Sequence, residues 1–131
     1  MAKTAFLFPG QGAQHIGMGR DFFEQIRESK EVFKEADEAL QMDLSGLIFE
    51  GSEEELKKTE NTQPAILTAS IAMLKALEKE GIDCDYTAGL SLGEYSSLVM
   101  SKALRFSDEL KIVRDRGKIL QEAVPQVVGG M

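Results

Sequence analysis

The sequence predicts an α/β protein, a parallel sheet with flanking helices. A short apolar run over residues 4–8 ends in a glycine-rich turn, and a second strand-like run over residues 85–88 ends in another. The long stretch between them has the spacing of helices. No repeat, low-complexity tract or linker interrupts the chain, and 131 residues with 43% apolar content are enough to bury one core.

Taken in order, Thr4-Ala5-Phe6-Leu7-Phe8 suits a buried parallel strand. Pro9-Gly10-Gln11-Gly12-Ala13-Gln14 follows as a tight turn. It is not a phosphate loop, because no lysine follows in G-K-[ST] spacing and no third glycine completes G-x-G-x-x-G. What remains is a loop whose backbone N–H groups are open to a ligand oxygen. Phe22, Phe23, Ile26, Val32, Phe33, Ala36 and Leu40 recur at helical spacing, as the core side of two helices broken near Ser29. Gly51 ends the next segment, and Ser52 with Glu55 fits a capping box. Residues 64–80 read as a long helix whose wide apolar stripe implies burial on more than one side, with Gly81 stopping it. Residues 94–100 and 108–123 read as two further helices, the last capped by Ser107, with Leu110, Val113, Gly117 and Leu120 on one face.

Gly89-Leu90-Ser91-Leu92-Gly93 stands where the second strand turns into a helix. G-x-S-x-G in that position is the form of a nucleophile elbow, although the bare pattern serves a plain Gly-Ser turn as well. An elbow needs a strained backbone that pushes Ser91 Oγ into a cleft, and glycines on both sides remove Cβ atoms that would collide. The following helix would aim free N–H groups at an oxyanion formed beside Ser91.

Arg116 does not belong with the solvated charges of its helix. It lies three residues after Val113 and four before Leu120, so its guanidinium leaves from the edge of an apolar stripe and must find an anion. On spacing alone that anion is an internal carboxylate. Lys102, Arg105, Lys111, Arg114, Arg116 and Lys118 form a local basic stretch, either the wet face of a helix or a docking place for an acidic partner. His15, the only histidine, reads as a surface or turn-capping residue; neither a general-base nor a metal role has a supporting pattern. A net charge of −7 argues against nucleic acid as a partner. One cysteine, Cys84, allows no internal disulfide and fits a reducing cytoplasm, and no apolar run approaches the roughly 20 residues of a membrane span.

Four segments in order, Phe8-Pro9-Gly10-Gln11-Gly12-Ala13-Gln14, Asn61-Thr62-Gln63-Pro64-Ala65, Gly89-Leu90-Ser91-Leu92-Gly93-Glu94-Tyr95 and Val113-Arg114-Asp115-Arg116-Gly117, resemble the malonyl-CoA:acyl carrier protein transacylase family. The resemblance implies an α/β-hydrolase-like acyltransferase core, present only in part, with transfer of malonyl from coenzyme A to the acyl carrier protein in fatty-acid biosynthesis. It implies Ser91 as the acylated nucleophile, the backbone N–H groups of Gln11 and Leu92 as the oxyanion hole, Arg116 as holder of the malonyl carboxylate, and Gln63 as a lining residue. No metal or bound cofactor is implied. With the resemblance, the malonyl carboxylate displaces an internal one as the expected partner of Arg116.

Two departures accompany it. Leu90 stands where the family most often has histidine, and the family's general-base histidine lies beyond an inserted small domain, downstream of Met131. Residues 1–131 are thus expected to be the N-terminal portion of the large domain, with residues 125–131 starting another strand. A non-catalytic fragment or interaction module of the same fold, and an ordinary serine esterase, are the alternatives.

Overall fold

The computed structural model describes residues 3–89, 91–100 and 104–123. Strand β1 (Ala5–Phe8) and strand β2 (Tyr86–Gly89) pair in parallel, Ala5 opposite Tyr86 and Phe8 opposite Gly89. The pairing is fastened below the strands. Asp85 N–H donates to Thr4 O at 2.7 Å, and Thr4 N–H donates to the Asp85 carboxylate at 2.8 Å. β1 is less covered than its apolar sequence suggests: Phe8 is buried, but Leu7 is 76% exposed. Side chains alternate across a strand, and the pair formed by the described residues has helices against the side that Phe8 faces.

Between the strands run α1 (Arg20–Gln25), α2 (Arg27–Leu40), α3 (Leu44–Glu50), α4 (Glu53–Lys57) and α5 (Thr59–Lys79); α6 (Gly93–Met100) and α7 (Phe106–Ala123) follow β2. The break between α1 and α2 falls at Ile26, whose backbone is extended, and not near Ser29. Ser29 is instead buried inside α2, with its hydroxyl donating to Ala72 O of α5 at 2.6 Å. Ser52 caps α4 as expected, accepting from Glu55 N–H at 3.1 Å.

α5 begins five residues earlier than Pro64 suggests, because Thr62 Oγ1 bonds back to Lys58 O at 3.0 Å and to Leu56 O, fixing the first turn ahead of the proline. Residues 61–72 of α5 are buried all round, enclosed by α2, α6 and α7. α7 starts at Phe106, so Ser107 lies inside the helix and does not cap it. Phe106 is pulled into the core, and Glu109 N–H already bonds to Arg105 O at 3.0 Å. Phe23, Phe33 and Phe49 complete the core near α1, with ring centroids 5.6, 5.1 and 5.0 Å apart.

One buried group is out of keeping with its surroundings. Glu109 of α7 is fully buried, neither carboxylate oxygen has a hydrogen-bond partner among the described residues, and burial pushes its carboxyl up to about 7. Among the described residues no helix is long and apolar enough to cross a membrane.

Candidate active site

The turn from β2 into α6 is a sharp one. Ser91 holds φ at 53°, a left-handed conformation seldom taken by a residue with a side chain. A Cβ on Gly89 would lie 2.0 Å from Gly93 O, and one on Gly93 would lie 2.0 Å from Phe8 O. The glycines are therefore a packing requirement: the elbow is pressed on itself and against the C-terminal end of β1. Ser91 O and Leu92 O accept from Glu94 and Tyr95 N–H at 3.0 Å each, starting α6, and Ser97 Oγ donates to Thr87 Oγ1 at 2.5 Å to tie that helix to β2. Leu92 is fully buried. Its N–H sits in the opening turn of α6, where backbone donors lack partners within a helix. Leu90 lies outside the described residues.

α7 brings Arg116 to Ser91. Leu110, Val113 and Gly117 are buried against the core, and this face sets the direction in which Arg116 leaves the helix. The helix axis comes close to α5: a Cβ on Gly117 would lie 2.6 Å from Thr59 O and 2.7 Å from Glu60 Cα. From there Arg116 Nη2 donates to Ser91 Oγ at 3.0 Å, Nη1 donates to Gln63 Oε1 at 2.6 Å, and the guanidinium carbon stands 5.4 Å from the Tyr95 ring centroid. Among the described residues Arg116 meets no carboxylate, contrary to what spacing alone favours. Arg114 does, pairing with Glu60 at 3.7 Å beside the Met42 sulfur. The local basic stretch is thus divided, since Arg114 and Arg116 turn inward while Lys111 and Lys118 stay exposed.

Gln63 and Gln11 complete the arrangement. Gln63, from the second turn of α5, is 1% exposed and donates through Nε2 to Gln11 Oε1 at 3.1 Å. Gln11, from the loop after β1, donates through Nε2 to Thr59 Oγ1 at 3.3 Å. Ser91, Arg116, Gln63 and Gln11, singled out on separate segments of sequence, are therefore joined by continuous hydrogen bonds. The side chain of Gln11 takes part, where sequence reasoning assigned a role only to its backbone. Tyr95 and Thr59 were missed. Tyr95 follows Ser91 by one helical turn, a legible signal, whereas nothing local marks Thr59.

His15 is exposed and lies along an apolar cavity of about 300 Å³ with Phe8, Met18, Ile66 and Met73, and no hydrogen bond among the described residues joins it to Ser91.

Chemically, the site offers a hydroxyl at a helix start and a planar cation within hydrogen-bond reach of it. A guanidinium in that position is able to pair with an anion brought next to the hydroxyl.

The malonyl CoA-acyl carrier protein transacylase of Bacillus subtilis is 56% identical over 131 residues, all of this chain and 41% of the relative. That of Staphylococcus aureus (strain MSSA476) is 47% identical over 131 residues, all of this chain and 42% of the relative. The crystal structure of malonyl CoA-acyl carrier protein transacylase from Clostridium perfringens superposes with a TM-score of 0.90 at 54% identity, covering 94% of this chain and 39% of that one. A malonyl-transacylase in complex with its type II PKS acyl-carrier protein superposes with a TM-score of 0.90 at 42% identity, covering 95% of this chain and 40% of that one. The chain spans about two-fifths of the length of these relatives. The acyl transferase domain model matches residues 5–131, and with nearly the whole sequence inside that match the chain belongs to the acyl transferase domain family.

Proposed function

We propose that this chain supplies the nucleophile and the carboxylate-binding arginine of a cytoplasmic malonyl-CoA:acyl carrier protein transacylase acting in fatty-acid biosynthesis. The observation that carries the reading is the 3.0 Å contact between Arg116 Nη2 and Ser91 Oγ. A guanidinium placed there, with no carboxylate partner among the described residues, selects an acyl group that brings one, which a simple esterase has no use for.

In this mechanism the malonyl carboxylate takes the two-pronged face of Arg116, which sets the thioester carbonyl beside Ser91. Ser91 Oγ attacks that carbon as its proton passes to a general base. The resulting oxyanion is received by the N–H groups of Leu92 and Gln11, the C–S bond breaks, and coenzyme A leaves as its thiol. The pantetheine thiol of the carrier protein then attacks the acyl-serine and restores the hydroxyl. The base is assigned to the part of the relatives beyond the inserted small domain, which this chain does not span. The 131-residue chain alone is therefore expected to transfer malonyl very slowly, at the level left when a triad member is lost.

The test uses a chimera in which these 131 residues replace the matching part of the Bacillus subtilis relative. Incubated with malonyl-CoA, it should gain the mass of one malonyl group, and Ser91→Ala should abolish the gain. Arg116→Ala should depress malonyl transfer while leaving acetyl transfer nearly unchanged. Equal losses for both acyl groups would make Arg116 a structural residue and the malonyl reading untenable.

A further inference from the structure

We propose that Thr59 is a positioning residue which anchors the far end of the amide row holding Arg116 by accepting from Gln11 Nε2, and through that row supports the preference for an acid-bearing acyl group. The proposal rests on the reading of Arg116 as carboxylate holder.

It follows from counting donors and acceptors along the row of side chains. A guanidinium has N–H donors and no acceptor, so Gln63 must turn its Oε1 to Arg116, as the 2.6 Å contact has it. Gln63 Nε2 then points the other way. At 1% exposure Gln63 has little access to water, so its Nε2 needs a protein acceptor, which is Gln11 Oε1 at 3.1 Å. Gln11 in turn presents Nε2 outward, and the acceptor there is Thr59 Oγ1 at 3.3 Å. Each amide has one orientation that satisfies its neighbour. Reversing either sets donor against donor, and a reversed Gln63 would push N–H groups at the guanidinium. A hydroxyl is the fitting end for such a row, because it rotates to accept without placing a demand on the next group.

Thr59 is itself held firmly. Its N–H donates to Gln121 Oε1 at 3.3 Å, which caps the start of α5 from α7, and its carbonyl lies against Gly117. Both contacts come from the helix that carries Arg116, one residue and five residues beyond it. The anchoring hydroxyl and the arginine therefore share one rigid frame. Thr59 itself touches Gln11, two side chains from the guanidinium.

The experiment uses the chimera with three variants. Thr59→Val keeps the shape and removes the acceptor, Thr59→Ser restores it, and Arg116→Ala is the control for the underlying reading. Thr59→Val should raise KM for malonyl-CoA about two- to tenfold, the range of one neutral hydrogen bond, with acetyl transfer changed less. Thr59→Ser should return malonyl transfer to the parent value. The side-chain amide resonances of Gln11 and Gln63 should be protected from exchange in the parent, lose protection in Thr59→Val and keep it in Thr59→Ser. Equal loss for both acyl groups, failure of serine to rescue, or amide resonances indifferent to Thr59→Val would each overturn the proposal. If Arg116→Ala leaves the malonyl to acetyl ratio unchanged, the carboxylate reading is what has failed, and the amide resonances alone then decide for or against Thr59.

Discussion

Leu92 combines two roles that ask opposite things of an experiment. Its N–H belongs to the proposed oxyanion hole, yet its side chain is fully buried in the core. Leu92→Ala is therefore no mild probe of the backbone role; it should lower stability by about 2–5 kcal/mol, read by thermal melting. Loss of one oxyanion donor is worth about 2.7–4 kcal/mol in the rate, so a backbone ester substituted for the amide at Leu92 in the chimera should slow malonyl transfer on that scale while sparing the melt. A melt lowered as far as in Leu92→Ala would argue that the amide is structural. At Arg116 the expected outcome is set by shape as well as charge. Arg116→Lys should recover little of the malonyl transfer lost in Arg116→Ala, because an ammonium cannot serve Gln63, Ser91 and a carboxylate from one plane. Full activity in Arg116→Lys would show that charge alone suffices.

Helix α7 meets α5 closely, and that contact can be tested by one methyl group. In an open helix Gly117→Ala would gain about 1 kcal/mol from propensity. Here the new Cβ meets backbone atoms of Thr59 and Glu60, which cannot rotate away, so the melting temperature should fall and malonyl transfer should fall with it. A rise in melting temperature would refute the close approach. These elements also show what sequence does and does not reveal. The Ser52 cap, the glycines of the elbow and the inward set of Arg116 were legible because each leaves a pattern within its own segment, even where, as for Gly93 against Phe8, the contact is distant. The helix break at Ile26, the start of α5 at Thr59 and the start of α7 at Phe106 were not. The first depends on contacts from elsewhere, Ser29, read as a breaker, being a buried donor to Ala72 of another helix, while the start of α5 rests on Thr62 bonding back to Lys58 and Leu56, a role that its type alone does not announce. The same holds at the site. Its four residues could be named, but the side-chain role of Gln11 and the part of Thr59 depend on α5 and α7 meeting, which no local pattern encodes.

For the molecule as a whole, Glu109 makes stability depend on pH. Burial raises its folded carboxyl to about 7 from an ordinary 4.5, so between those values the folded chain holds a proton that the unfolded chain has released. Its contribution is fully present below about 4.5, and it is lost as pH rises through about 7. Glu109→Gln should remove that slope and leave the chain more stable than the parent at pH 8, as measured by denaturant unfolding at several pH values. An unchanged slope would mean that the carboxylate reaches water when it ionises.

The pairing of Ala5 with Tyr86 joins segments eighty-one positions apart in the sequence, and this gives the chain a timetable. Contacts within and between neighbouring helices close short loops and form early, whereas a strand pair bridging so long a separation waits until the intervening segment is compact. The backbone of Ser91 is braced by Gly93 against Phe8, so it acquires its left-handed twist only when that pair closes. The amides of β1 and β2 should accordingly gain protection after those of α5 in pulse-labelled hydrogen exchange during refolding, and simultaneous protection would contradict it. A chain emerging from synthesis would then hold a folded helical block with β1 unattached until Tyr86 arrives. Ser91 would lack its left-handed backbone until β2 had paired with β1.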